Sequence, residues 1–277
     1  MLYENWLQGN SPNVKIFYCA PLKENIISEC LVVGGGFAGL HAALRMINAG
    51  KKVALLEKKI CGGSSSGQSG GFLSPESEDD MSSLIKRYDK KSAKIIYSVP
   101  KKGVEIIVNN IKKYRFNCDF RKQDSLFISI KKSHNKKILE EAEAKKAESL
   151  PYKILNETEL KKIHPGKNYK MALRYPGSYG INSFAYSQEM KNLLIKKGVK
   201  IYEGSEVKEI DGNIVRTHFG SVKAKNIILC VDKLRKELNE DFSKKYYHIQ
   251  TYIAISEPLS KEEMTYLFPK GELMCWD

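Results

Sequence analysis

Three glycines, Gly34, Gly36 and Gly39, stand in the spacing G-x-G-x-x-G, directly after an apolar run and directly before a stretch of helical character. That is where the chemistry of holding a dinucleotide needs them. Gly34 permits a tight turn, Gly36 lets the backbone approach a pyrophosphate, and Gly39 lets the helix pack close to the strand. The N–H groups at the start of the helix, around Phe37 and Ala38, then face the phosphates, and the helix dipole favours their charge. Eighteen residues past Gly39, Glu57 ends a second apolar run. A carboxylate there accepts hydrogen bonds from both ribose hydroxyls and repels a 2′-phosphate, which disfavours NADP.

Alone, the glycine spacing is a weak pattern, and its surroundings decide how it reads. Residues 26–33 form a buried strand pattern, residues 37–49 a helix stopped at Gly50, and residues 53–56 a second short strand. Strand, glycine turn, helix, strand is a βαβ opening with a parallel pair. The segment Cys61-Gly-Gly-Ser-Ser-Ser-Gly-Gln-Ser-Gly-Gly71 has little to bury and reads as a loop. Its hydroxyls and N–H groups can wrap a second phosphate or a flavin edge.

Farther along, residues 79–113 read as helices broken near Pro100. Residues 116–121 and 125–130 read as two strands joined across Gln123-Asp124. Residues 136–150 read as a charged helix with Glu141 four positions before Lys145, its charge run a solvated face. A helix over 184–197 follows Pro176-Gly177, then strands over 199–202, 206–210, 214–218 and 222–230, with a hairpin at Asp211-Gly212-Asn213. Residues 246–255 begin another strand pattern. The fold class is therefore α/β, α+β overall: a Rossmann-like dinucleotide domain with a βαβ opening, interleaved with an antiparallel-sheet domain.

The chain has 277 residues, 42% of them hydrophobic, enough for one large or two interleaved cores. No apolar run is long enough to cross a bilayer and the start has no secretory leader, so no integral membrane segment and a cytoplasmic location are expected. The six cysteines form no C-x-x-C pair and have no histidine at ligand spacing, so no metal site is expected. The net charge of +14 raises the question of nucleic acid. Lysine pairs recur along the whole chain rather than on one face, and no nucleic-acid partner is expected.

The run Leu31-Val-Val-Gly-Gly-Gly-Phe-Ala-Gly-Leu-His-Ala-Ala, continuing to Leu56-Glu57-Lys58 and then to Ser65-Ser-Gly-Gln-Ser-Gly-Gly-Phe-Leu73, resembles the D-amino-acid-oxidase-like family of FAD-dependent oxidoreductases. The branch it most resembles is that of gamma-glutamylputrescine oxidoreductase. A second block resembles it too: Gly180-Ile-Asn-Ser, the helix to Gly198, Glu203-Gly-Ser-Glu-Val207 and residues 224–230. The resemblance implies FAD as cofactor. It implies that Gly34, Gly36, Ala38 and Gly39 cradle the pyrophosphate and that Glu57 holds the adenosine ribose with Lys58 beside it. It places Ser65 and Ser66 along the ribityl-pyrophosphate portion and Gly70 and Gly71 near the isoalloxazine ring. It has Val207 hold the adenine through main-chain groups.

The same resemblance implies oxidation of the C–N bond of a small-molecule amine or amino acid, with hydride passing to flavin N5. Such chemistry belongs to the flavin and needs no nucleophilic triad or metal. His248, Tyr252, Arg174 and Tyr179 are candidates for the substrate side, and none is assigned a catalytic role. Domains are expected as an arm over 1–25, FAD-binding segments over 26–95 and 176–240, a mainly substrate segment over 96–175, and the start of a second substrate segment over 241–277. Family members run on well beyond the position matching Asp277. The chain therefore also reads as C-terminally truncated: an inactive remnant, or a split-gene subunit that keeps the ADP-binding half of the site and needs a partner chain for the rest. An NAD-binding enzyme is the third reading, and the loop at 65–71 argues against it.

Overall fold

The computed structural model describes residues 14–276 except positions 167, 233–235, 237, 246, 248, 250, 255, 272 and 273. The chain divides into two compact units. The first comprises residues 1–70, 116–118 and 182–253, and the second residues 71–115, 119–181 and 254–277.

In the first unit, β1 (Asn25–Val33) is buried on both faces over its last four residues, as an apolar strand inside a parallel sheet should be. It lies between β2 (Val53–Leu56) and β10 (Ser221–Leu229), parallel to both, and β2 in turn pairs in parallel with β7 (Lys200–Tyr202). Beyond β10 the sheet turns antiparallel through β9 (Ile214–Arg216) and β8 (Glu209–Asp211). The strand order is β7-β2-β1-β10-β9-β8. The first crossover is α1 (Phe37–Asn48), which buries Gly39, Leu40, Ala43 and Leu44 on one stripe and ends where Gly50 takes φ +76°. It packs on β1 and β2 and against α6 (Ser183–Lys196). Leu22, Leu31, Val33, Ala54, Leu56, Val207, Val215, Val222 and Ala224 form one core cluster.

The second unit is built on a sheet ordered β11-β4-β6-β3, with β5 (Lys153–Asn156) also paired to β6. Its long pair is β4 (Arg121–Ser129) against β6 (Met171–Gly180), antiparallel. β11 (Met274–Trp276) forms one edge, and β3 (Phe72–Leu73) and β5 share the other. Helices α2 (Met81–Arg87), α3 (Lys90–Tyr114) and α4 (Asn135–Ala147) pack together, and the short α5 (Glu157–Lys161) follows β5 behind an Asn156 capping box. Two short helices complete the described elements, α7 (Glu240–Ser243) in the first unit and α8 (Lys261–Leu267) in the second.

Several expectations are corrected here. The helical break lies at Tyr88-Asp89, not near Pro100. Asp89 caps α3 by accepting from the Lys91 and Ser92 amides, and the helix runs through Pro100. Proline removes one backbone bond, while Ala93, Tyr97, Val104, Val108 and Ile111 stay buried on both sides of it. The two strands expected over 116–130 are one, β4, and residues 116–120 precede it with Asp119 at φ +51°. The irregularity at Gln123-Asp124 is a bulge. Gln123 pairs Ser178 and Ser125 pairs Tyr175, so Pro176 and Gly177 (φ +90°) stand opposite the single residue Asp124. The strand expected over 206–210 begins later, at Glu209, and that over 214–218 ends at Arg216. Residues 251–254 carry no regular structure, and the rest of the strand pattern at 246–255 lies partly outside the described residues.

The charged face of α4 is also not wholly solvated. Glu141 and Lys145 are each 1% exposed. They do not serve as an i, i+4 pair: Glu141 accepts from the Met81 and Ser82 amides at the start of α2, and Lys145 donates to Glu76 (2.7 Å) and to the Tyr97 hydroxyl.

Candidate functional site

The site grows from the point where β1 stops. Gly34 takes φ +106°, and a Cβ there would lie 2.3 Å from the Cys230 carbonyl oxygen, so only glycine can make this turn. Its amide donates to the Leu56 carbonyl (2.8 Å) and keeps the turn against the end of β2. Gly39, one helical turn on, faces back: a Cβ there would meet the Gly34 carbonyl oxygen at 1.8 Å. These two contacts set the first turn of α1 directly on the strand end.

Glu57 is gripped from both sides. Its own amide donates to the Tyr202 carbonyl (2.9 Å) and its carbonyl accepts from Ser205 (2.8 Å), which ties the end of β2 to the segment after β7. Its carboxylate reaches back over the turn and accepts from the Gly35 amide through Oε2 (2.7 Å) and from the Lys59 amide through Oε1 (2.9 Å). Each oxygen carries one such bond and keeps a further lone pair.

The Ser/Gly loop folds onto the same place. Gly62 donates to the Gly35 carbonyl (2.8 Å), the Cys61 sulfur sits where a side chain on Gly35 would be, and the Ser66 hydroxyl accepts from the Phe37 amide (3.0 Å). The structure thus brings together Gly34, Gly36, Gly39, Glu57 and Ser66. Ala38, Lys58 and Ser65 are exposed neighbours of these residues in the chain. Val207 is buried in the core cluster of the first unit. Gly70 closes the first segment of that unit, and Gly71, at φ +73°, opens the second unit and accepts from the Ile181 amide (2.9 Å).

A dinucleotide pyrophosphate fits the residues present. The N-cap of α1 is Gly36, with no side-chain cap, and the first turn holds no acidic residue. A Cβ on Gly36 would meet only the Ser66 side chain, its hydroxyl oxygen at 3.0 Å. The helix start thus carries the Ser66 hydroxyl on its Phe37 amide and no carboxylate in its first turn, so its positive end is not neutralised by an acid of its own.

What the sequence did not disclose is the support beneath. Lys191 of α6 and Glu203 are fully buried and paired at 3.2 Å. Glu203 also accepts from the Cys19 amide (2.8 Å) and the Cys61 amide (2.7 Å), while Lys191 donates to the Phe17 carbonyl. Gln188 of α6 donates to the Cys61 carbonyl (2.7 Å), so the root of the loop is held at both its N–H and its C=O. Burial, and next the Glu203 charge, push the Cys61 thiol well above its usual range. The available signal was position. Lys191 lies one and three residues from Met190 and Leu194, which are buried with it.

His41 links the same helix to α6. One ring nitrogen, Nδ1, lies 2.8 Å from the Phe37 carbonyl and the other, Nε2, 3.0 Å from the Tyr186 hydroxyl. Donation from Nδ1–H leaves Nε2 to accept from tyrosine, the neutral tautomer, and burial lowers the His41 pKa in the same sense. Of the substrate-side candidates, Arg174 is paired to Asp124 (2.7 Å), Tyr179 stacks on Phe120 and Tyr252 is exposed. His248 lies outside the described residues. Among the described residues no cluster of His, Cys, Asp and Glu could hold a metal ion, and no helix is long and apolar enough to cross a membrane.

The chain is 29% identical over 259 residues to the gamma-glutamylputrescine oxidoreductase of Escherichia coli (strain K12), covering 90% of this chain and 60% of that protein. It is 26% identical over 269 residues to a probable oxidoreductase, OrdL, of Haemophilus influenzae, covering 94% and 62%. The chain thus spans less than two thirds of the length of these relatives. The fold is similar to that of glycine oxidase from Geobacillus kaustophilus (TM-score 0.65, 16% identity, 77% of this chain and 58% of that one). It is also similar to L-proline dehydrogenase from P. horikoshii (TM-score 0.63, 22% identity, 79% and 56%). Residues 29–274, from within β1 to the first residue of β11, match the family DAO, FAD dependent oxidoreductase, and the chain belongs to that family.

Proposed function

We propose that this chain holds FAD by its ADP portion at the start of α1 and serves the oxidation of the C–N bond of an amine or amino acid. Gly34, Gly36, Ala38 and Gly39 receive the pyrophosphate. Glu57, steadied by the Gly35 and Lys59 amides, receives the ribose hydroxyls, with Lys58 beside it. Ser65 and Ser66 follow the ribityl-pyrophosphate portion, Gly70 and Gly71 serve the ring end, and Val207 meets the adenine through its main chain. When bound, the flavin supplies the acceptor for hydride from the carbon next to the amine nitrogen. The observation that carries this reading is the Glu57 carboxylate drawn over a glycine-capped helix start that holds no acid of its own.

The test begins with the visible spectrum of the purified chain after reconstitution with FAD. A resolved flavin spectrum with quenched or shifted emission is expected, and free flavin alone would sink the proposal. Gly36→Val fills the space before the helix while its only close neighbour is the Ser66 side chain. It should weaken flavin binding at least tenfold with little change in melting temperature. Because the chain spans about three fifths of its relatives' length, oxidation is tested apart from binding. Anaerobic bleaching of the bound flavin by a panel of polyamines and amino acids would support it. A flavin that binds and is never bleached would leave only the binding half standing.

A further inference from the structure

The outward side of α3 breaks the usual pattern of a surface helix. Its core side is Ala93, Tyr97, Val104, Val108 and Ile111. At about 100° per residue, Ile95, Ile106, Val99 and Ile96 fall together in another sector, away from that core side. They are 59%, 53%, 60% and 37% exposed. Gly103 lies in the same sector, and a Cβ there would meet nothing within 4 Å. A polar sector is the rule on such a face, and a contiguous apolar one marks an interaction surface.

Charge decides what the surface fits. The helix carries seven lysines against a single glutamate, Glu105. Lys90 and Lys94 are paired with Glu148 on the side toward α4. Lys91 and Lys102 border the exposed apolar sector and Lys113 stands at its C-terminal end, and among the described residues no carboxylate pairs with them. A helix with isoleucine and valine along one stripe and lysine along its border has the make-up of one that lies in a lipid interface, apolar groups among the acyl chains and ammonium groups at anionic headgroups. A second copy of the chain fits worse. Two α3 faces packed on each other would set lysine rows against lysine rows, and four side chains are a small part of the roughly 800 Å² per partner that a stable interface buries.

We propose that the Ile95–Val99–Ile106 face of α3 is a peripheral docking surface for anionic membranes. It rests on this face alone and is independent of flavin binding. The experiment is vesicle sedimentation of the full chain with mixed phosphatidylglycerol–phosphatidylcholine vesicles and with pure phosphatidylcholine vesicles. Wild type should sediment with the anionic vesicles, less so as salt rises, and weakly with the neutral ones. The triple variant Ile95→Ser, Val99→Ser, Ile106→Ser, with an unchanged circular dichroism spectrum, should bind anionic vesicles at least tenfold more weakly. Lys91→Gln, Lys102→Gln, Lys113→Gln should erase the preference for anionic vesicles, and decides the matter if the serine variant fails to fold. Three outcomes would overturn the proposal: no binding by wild type, equal binding by the folded variants, or a concentration-dependent dimer of wild type that the serine variant loses.

Discussion

Among the described residues each unit buries one lysine, and the two are solved differently. Lys191, in the first unit, meets one carboxylate, Glu203, which is itself saturated with the amides of Cys19 and Cys61. Lys145, in the second, lies against the rings of Tyr97 and Tyr175 and bonds Glu76, whose side chain is 15% exposed. Around it stand further acids, Asp80 and Glu141, and burial raises the pKa of Glu76, Asp80 and Glu141 alike. The first lysine is paired with a carboxylate that organises backbone beside the glycine turn. The second shares its charge among phenols and acids that can take up a proton. A buried charge that positions a site is thus matched one to one, whereas one that fastens helices together is spread over groups able to adjust.

The contrast breaks most directly at Glu203. Glu203→Gln leaves Lys191 buried without a counter-charge and should cost about 3–5 kcal/mol of stability in urea unfolding. Lys191→Met in the same chain should recover a good part of it, since a matched apolar replacement removes the orphaned ammonium. A loss below 1 kcal/mol would mean that the pair is solvated and that the loop root at Cys61 is held mainly by Gln188.

Lys145→Met should cost less, about 1–3 kcal/mol, because Glu76 can protonate once its partner is gone while the Tyr97 hydroxyl loses its donor. The variant should also grow more stable relative to wild type as pH falls toward the ordinary carboxylate range. Equal losses at Lys145 and Glu203, both indifferent to pH, would erase the distinction between a fixed and an adjustable charge.

How far these arrangements could be read from residue order follows the same divide. The opening of the first unit is local: an apolar run, a glycine turn and a helix ended by Gly50 are each written in a few neighbouring residues. Gly34, Gly36, Gly39 and Glu57 were legible for that reason. The Lys191–Glu203 pair joins residues whose meeting depends on a finished α6 and β7, and neither side chain announces burial. In the second unit, β6 carries Pro176 and Gly177 in its interior, residues that argue against a strand until the bulge opposite Asp124 gives them room. Pro100 misled in the opposite direction, because five buried side chains of α3 outweigh one missing amide. Glu141 and Lys145 stand in the order of a surface pair, yet each is claimed by a different neighbour, at the start of α2 and at Glu76.

The smallest effect separates the units by the sign of their response to pH. His41 has its pKa lowered by burial, so the unfolded chain takes up a proton first as pH drops below about 6.5, and the first unit loses stability with acid. Glu76, Asp80 and Glu141 have theirs raised by burial. The unfolded chain therefore ionises first as pH climbs above about 4.3, and the second unit loses stability as pH rises. Between those values the two slopes oppose each other. Hydrogen exchange, corrected for intrinsic rates, should show the amides of α1 losing protection as pH falls below about 6.5, while those of α2 and α4 gain it as pH falls toward the ordinary carboxylate range. His41→Gln should flatten the α1 response alone, since glutamine cannot take up the proton. A loss of α1 protection that persists in His41→Gln would assign the acid sensitivity to another group and leave the His41–Tyr186 contact as packing only.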